Sequence, residues 1–430
     1  MTVREGRNRS VLFVCSAFPK RSEIAIFNQV KGVALTGAKV EVLSEGSDPE
    51  AGELLKLILD DILIRRTPQR PLTCHKGWLA NRLRLLCSGL RMMIGGLTRN
   101  PVLTLRSLDV FKHWKHARSF KLLYQVEPFV HLKVPVEYDV IHAQYGPNGT
   151  KAVVLRDIGA IRGPVVTSFR GYDINVLPGQ EGKDLYHLLF SRGDRFTTDS
   201  RAMKTKLIEL GCPSDRIDII PSSIDEEFWS QCHRQPSDKD ELHIVIAARL
   251  VPCKGIDIAL NAIDILQRSN PGTAVKVGIA GDGPELAMLK QLSASKGLEN
   301  VTFHGWMSPE LLRKLFETQD VFVLPSIKSE RGDEESQGLV LQEAQAAGLP
   351  VIASRLGGIP EGLVEGETGF LFEPGNPLDL ARVLKDFCCR RKDWPQMNRA
   401  ARQYATSVFS RDALTDRLEG TYDSLRMQSR

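Results

Sequence analysis

Residues 319 to 354, QDVFVLPSIKSERGDEESQGLVLQEAQAAGLPVIAS, constrain the fold of this chain more than any other stretch. Two short apolar runs of β type, Val321 to Leu324 and Pro350 to Ala353, flank an acidic, Gly-containing turn and a helical segment rich in Ala and Leu. That is the pattern of one βαβ unit. The predicted helix begins near Gln337 or Gly338 and ends before Gly348, a good C′ residue, with Pro350 preventing continuation. Its amino end, Ser336-Gln337-Gly338-Leu339, offers unpaired backbone N–H groups and the positive end of a dipole, which suits a phosphate. Glu335 and Glu343 bracket this end. A carboxylate beside a phosphate pocket repels the phosphates unless it addresses another part of the ligand, and hydroxyl groups are the natural target. Taken singly, each acid reads as a solvated helix or loop residue; their spacing argues for more.

At 430 residues the chain is too long for one compact core and suits two domains. Its 42% hydrophobic and 25% charged residues are ordinary for a soluble globular protein. The 8 cysteines are irregularly spaced with no C-x-x-C pair, so neither a disulfide framework nor a zinc site is expected, and a reducing cytoplasm fits best. The apolar run Val11 to Val14 is too short for a signal-peptide core or a membrane span, so export by that route is not expected.

The net charge of +5 is unevenly spread: residues 62 to 125 hold 13 Lys and Arg against the single acid Asp109. Such a block faces anions. No RNA-binding aromatic motif, helix-turn-helix or zinc finger accompanies it, so nucleic acid is not an expected partner. In WLANRLRLLCSGLRMMIGGL (78 to 97) basic and apolar residues interleave, which fits an anionic membrane surface and equally an ordinary helix packed in the first domain.

In chain order, VLFVCSAFP (11 to 19) reads as a buried strand, followed by a helix from Ser22-Glu23, and KVEVLSEG (39 to 46) as a second strand. No G-x-G-x-x-G loop follows the first strand, so a dinucleotide cofactor is not supported. YDVIHAQYG (138 to 146) and PVVTSFRGYD (164 to 173) are strands with polar carboxyl ends. Ligand crevices of open α/β sheets lie at those ends, so His142, Gln144, Arg170 and Asp173 are expected at a cleft. RFTTDS (195 to 200) and RIDIIPSSID (216 to 225) add strands around a helix, Arg201 to Leu210. The polar residues 230–241 read as a linker between a first domain, 1–229, and a second, 242–398; Arg399 to Met427 reads as one further helix.

In the second domain LHIVIAARL (242 to 250) is a buried strand, and VPCKG precedes the helix IDIALNAIDILQ. Arg249 and Lys254 flank this tight junction, where a cation pair can clamp a diphosphate. In VKVGIAGDGPE (275 to 285) Gly281 and Gly283 let backbone approach a ligand. The D-x-D of Asp238-Lys239-Asp240 falls in the linker, and no metal site is expected.

ESQGLVLQEAQAAGLPVIAS, with its Glu335 and Glu343, resembles the signature of the family 4 retaining glycosyltransferases of the GT-B fold. ARLVPCKG (248 to 255), AGDGPE (280 to 285) and GGIPEGLVEGETGFLF (357 to 372) extend the resemblance over the whole C-terminal half. FPKRSE, YDVIHAQYGPNG and VVTSFRGYD match more loosely, in the manner of the exopolysaccharide and colanic-acid branch. The resemblance implies an α/β architecture of two Rossmann-like domains across a deep cleft, with the final helix, 399–430, crossing back onto the first domain. It implies a nucleotide-diphosphate sugar as donor, with no cofactor and no metal required, and a lipid-linked saccharide as acceptor at the inner face of the cytoplasmic membrane.

Carried onto this sequence, Arg249, Lys254, Gly338 and Leu339 bind the donor diphosphate, Glu335 the sugar, and Glu343 the ribose. Gly283, Gly305 and Trp306 lie near the donor pocket, while Ser22, Arg170 and Asp173 are on the acceptor side. Glu335 and His142 are the catalytic candidates. Two departures stand out: relatives show His-Ala-His where this chain has His142-Ala143-Gln144, and Phe-His-Gly where it has Phe169-Arg170-Gly171. Competing expectations are a GT-B epimerase or phosphorylase, the latter needing a pyridoxal lysine that no part of the chain argues for, and a catalytically silent partner of a polysaccharide assembly complex.

Overall fold

The computed structural model describes residues 9–48, 62–68, 78–109, 120–234, 241–270 and 272–428. The first half supplies β1 (Ser10–Cys15), β2 (Lys39–Ser44), β3 (Leu63–Arg66), β4 (Val136–Glu137), β5 (Val140–Gln144), β6 (Ile161–Arg162), β7 (Val165–Ser168), β8 (Arg195–Thr198) and β9 (Ile217–Ile219). The second supplies β10 (Glu241–Ala247), β11 (Ala274–Ala280), β12 (Val301–Gly305), β13 (Val321–Leu324), β14 (Val351–Ser354) and β15 (Gly369–Phe372). Among the described residues, one sheet runs β3-β2-β1-β5-β7-β8-β9 and the other β12-β11-β10-β13-β14-β15, with β4 and β6 paired separately. Every pairing in both sheets is parallel.

Parallel sheets need both faces covered, and the strand sequences comply. VIHAQ, VVTS, VFVL and VIAS are buried from end to end. Each sheet reverses its strand order in the middle, at β1/β5 and at β10/β13, and such switch points open crevices beyond the carboxyl ends of the strands. This is the two-domain α/β architecture of the GT-B fold.

The chain end differs from the expected single helix. Two helices, Trp394–Val408 and Arg411–Gln428, are divided at Phe409-Ser410. There the Ile224 N–H donates to the Phe409 carbonyl at 3.0 Å, and Ser410 Oγ accepts from the Ala413 N–H at 3.3 Å, capping the new helix. The second helix lies against the first half: Leu418, Tyr422 and Leu425 share a core with Val11, Phe13 and Val30. Arg9 donates to Glu419 at 2.8 Å and Arg417 to the Ile219 carbonyl at 2.6 Å. Residues 235–240 of the expected linker, with the D-x-D, lie outside the described residues.

In the basic region the helices Trp78–Arg99 and Pro101–Ser107 pack inward through Leu103, Met92 and Met93. Leu83, Leu86, Leu90 and Ile94 are exposed along one face, and Val102 and Leu105 beside them. Arg82, Arg84, Arg91, Arg99 and Arg106 are exposed as well.

Candidate active site

A cleft of about 270 Å³ lies between the halves. Its lining follows from strand ends: Ser22 comes after β1, Tyr145 after β5, Arg170 after β7, Asp199 after β8, Ser222 after β9, and Glu335 to Leu339 after β13. Two crevices thus meet face to face. Backbone strain is stored in this wall, because Tyr145 holds φ +71° and ψ 149°, a conformation glycine favours and one that costs a larger residue about 1–3 kcal/mol.

On the second half, Gly338 (φ +78°) introduces the Leu339–Ala346 helix without a side-chain cap, which leaves its first N–H groups open to an anion. Lys254 donates to Glu335 in an ion pair in which both side chains are largely buried. Burial opposes the Lys254 charge, but the neighbouring Glu335 carboxylate outweighs it and the pKa is raised. Arg249 is close enough for its charge to act on Lys254, yet its own exposed guanidinium has no hydrogen-bond or ion-pair partner among the described residues. A free and a paired cation near an open helix start make an arrangement chemically able to take linked phosphates.

Gly283 lies close to the arginine turn: a Cβ there would meet the Leu250 carbonyl oxygen at 2.3 Å. It brings backbone against backbone, where backbone against ligand was expected. Gly305 (φ +71°) accepts from the Gly281 N–H at 2.7 Å. Trp306 is half exposed, and the Arg21 guanidinium stacks over its ring at 3.5 Å from the centroid. Ser22, next to Arg21, is exposed in the 3₁₀ turn Arg21–Glu23 and does not cap the following helix.

Glu343, like Arg249 and Lys254, lies outside the lining of this cleft. Burial pushes its carboxyl up to about 8, against the lowering effect of a hydrogen bond with the Trp229 side chain.

On the first half three expected positions are corrected, the first being Gln144, which is fully buried and does not line the cleft. His142 is fully buried, with Nδ1 on the Tyr422 hydroxyl at 2.6 Å and Nε2 on Ser168 Oγ at 2.7 Å. Burial, with a contribution from Arg170, holds its pKa down to about 3. Both ring nitrogens are occupied and the ring does not reach the cleft. Asp173 is likewise fully buried: its carboxylate accepts from the Gly146 and Arg170 N–H groups at 2.7 Å each, which makes it a backbone clamp. Ser22 and Arg170 do line the cleft.

Several cleft contacts escaped the sequence analysis. Ser336 Oγ donates to Asp199 at 2.7 Å, and Gln337 exchanges two hydrogen bonds with the Ser222 backbone, at 2.6 and 3.0 Å. Lys206 pairs with Glu334, and Glu361 accepts from the Arg201 N–H at 2.8 Å at the start of the Arg201–Glu209 helix. Gly358 explains part of the downstream GGIPEG motif, since a Cβ there would meet the Ser336 carbonyl oxygen at 1.8 Å and Ser200 Oγ at 2.6 Å. The segment that presents Glu335 and Gly338 is therefore also the clasp between the halves. Asp199 was open to the same strand-end argument as Arg170, because it follows RFTT directly.

Residues 22–228 match the family model Glycosyltransferase Family 4, and 228–405 match Glycosyl transferases group 1. Similar proteins include AmsK, an amylovoran biosynthesis glycosyltransferase of Erwinia amylovora, 32% identical over 65% of this chain and 68% of that protein. WcaL of Salmonella typhimurium, provisionally assigned as a colanic acid biosynthesis glycosyltransferase, is 30% identical over 88% of this chain and 90% of its own. Among solved structures, Anabaena HepE in complex with UDP and glucose superposes with a TM-score of 0.67 at 19% identity, over 97% of this chain and 100% of that one. A glycosyltransferase from Rickettsia africae gives 0.68 at 18%, over 97% and 99%. The chain belongs to the family 4 glycosyltransferases, retaining enzymes of the GT-B fold.

Proposed function

We propose that this glycosyltransferase moves a hexose-type sugar from a nucleotide-diphosphate donor, held by the second half, to a lipid-linked saccharide held by the first, in exopolysaccharide assembly. The observation behind the proposal is the Lys254–Glu335 pair at the uncapped start of the Leu339–Ala346 helix, with Glu335 and the helix start lining a cleft to which both halves contribute. The names of AmsK and WcaL support the pathway class, and HepE, solved with UDP and glucose, the donor class.

In this scheme Arg249, Lys254 and the N–H groups after Gly338 take the diphosphate, while Glu335 turns to the sugar hydroxyls and Glu343 to the ribose. The charge that develops on the leaving group is met by fixed cations and dipoles, so the chemistry requires no metal. The acceptor oxygen bonds to the anomeric carbon on the face from which the diphosphate departs, and the acceptor proton passes to a departing phosphate oxygen. The Ser336 and Gln337 contacts close the cleft over these groups and keep water from the donor. Incubating the purified protein with UDP- and GDP-sugars in EDTA tests this scheme: nucleoside diphosphate is released if it holds. No release from any of them points to the silent-partner alternative.

The acceptor's lipid places the first half on the inner face of the cytoplasmic membrane. Among the described residues no helix is long and apolar enough to cross a membrane. The exposed leucines of Trp78–Arg99, flanked by arginines, form the kind of face that lies in a bilayer interface. The protein is expected to float with anionic liposomes at low salt, less so at high salt, and Leu86→Asp with Ile94→Asp to remain at the bottom. Equal flotation of that variant removes this surface from consideration.

A further inference from the structure

The two departures from the family pattern touch each other. Arg170 Nη2 donates to Gln144 Oε1 at 3.3 Å, and Gln144 Nε2 in turn donates to Gln29 Oε1 at 2.7 Å. Arg170 Nη1 donates to Ser222 Oγ at 2.5 Å, and its Nε is buried without a partner. The backbone is fixed too, by the hydrogen bond from the Arg170 N–H to Asp173. A half-buried guanidinium is thus oriented by neutral oxygens alone.

No carboxylate among the described residues comes within ion-pair distance of it. The acids nearby are engaged elsewhere: Glu23 with Lys20, Glu335 with Lys254, Asp199 with Ser336, and Asp173 with two backbone N–H groups. The Arg170 charge acts on the buried Asp173 and Asp199 carboxyls, but neither bonds the guanidinium, and a cation partly removed from water with no direct ion pair is costly. Its desolvation is offset when an anionic ligand arrives, and a planar fork suits an oxyanion best. In the transferase scheme the donor diphosphate is taken by Arg249, Lys254 and the helix start on the second half, so an anion at Arg170 on the first half is a second one.

We propose that Arg170 binds a carboxylate or phosphate substituent on a sugar that enters the cleft, so that one of the two substrates is an acidic sugar. This rests on the transferase proposal and specifies its substrate class. Gln144 is a positioning residue, holding the guanidinium toward the cleft.

The test pairs neutral with acidic probes on each side of the reaction. On the donor side, titration calorimetry compares UDP-glucose with UDP-glucuronate and GDP-mannose with GDP-mannuronate, each relative to UDP or GDP alone. On the acceptor side, glucosyl or mannosyl transfer to p-nitrophenyl glucoside, glucuronide and glucose 6-phosphate is compared. Preference for the acidic member by about tenfold or more is expected on one side, the value of one charge-assisted hydrogen bond. Arg170→Ala should collapse that ratio toward one, with Arg170→Lys restoring part of it.

Discrimination of less than about twofold on both sides overturns the proposal, with that threshold well below a single such bond. So does an Arg170→Ala protein that keeps the wild-type ratio. If Arg170→Ala weakens UDP or GDP as much as the acidic donors, Arg170 is a diphosphate ligand and the second anion is lost. Absence of binding and turnover with every probe removes the transferase scheme itself, and this proposal with it.

Discussion

The two walls of the cleft were built by one rule and differ in how far that rule reaches. On the second half, Arg249, Lys254, Glu335 and Gly338 were singled out by residue type and spacing, and the structure gathers a paired cation, a free cation and an open helix start. On the first half, strand-end reasoning found the right loops and mistook three of the side chains. Ser22 and Arg170 line the cleft, whereas His142, Gln144 and Asp173 are fully buried. The rule locates crevices. It does not say which atoms face them when a parallel strand is buried on both sides and shows no alternation to read.

Breaking the second-half wall should have the largest effect. Glu335→Ala is expected to reduce kcat/KM by about 10²-fold or more, the scale of a lost transition-state contact, with the circular dichroism spectrum unchanged. Steady-state kinetics with an unaltered turnover would instead make Glu335 only the salt-bridge partner of Lys254.

The first-half wall should respond in stability. His142→Phe strips hydrogen-bond partners from Tyr422 and Ser168, at a cost of about 1–3 kcal/mol, while activity per folded molecule persists. Thermal unfolding read alongside kinetics distinguishes the cases, since a catalytic His142 would lose turnover with its melting temperature intact.

A smaller effect sharpens the contrast within the second half. The Glu343 carboxyl keeps its proton in the folded protein up to about 8, against 4.5 for the unperturbed group. Between those values the unfolded chain has released a proton that the folded one retains, so this group's contribution to stability falls as pH rises. Glu343→Gln should flatten the decline in melting temperature across that window by a few degrees, on the order of 2–4 °C per kcal/mol for a folding unit of about 150–250 residues. Parallel pH curves for the two proteins would place Glu343 in a more hydrated setting.

Much of the fold was legible because strands and helices announce themselves locally. Val321–Leu324 matches its predicted run, and Ile256–Ser269 the predicted helix IDIALNAIDILQ. The break at Phe409-Ser410 was not legible, because it depends on a hydrogen bond to Ile224, far away in sequence. The same holds for the clasp. Ser336 and Gln337 looked like part of a phosphate-binding helix start, and nothing local reveals that their side chains are committed to Asp199 and Ser222. Arg170 occupies the middle ground, visible as a departure from pattern, while its unpaired state needed the surrounding acids to be located.

The most direct test of the account is calorimetric binding of UDP and GDP to the wild-type protein and to Arg249→Ala/Lys254→Ala. The wild type should bind at least one of the two, and the double variant should bind it about 10²-fold or more weakly, two charge-assisted contacts having been removed. Undiminished affinity in the double variant would contradict the assignment of this wall to a diphosphate.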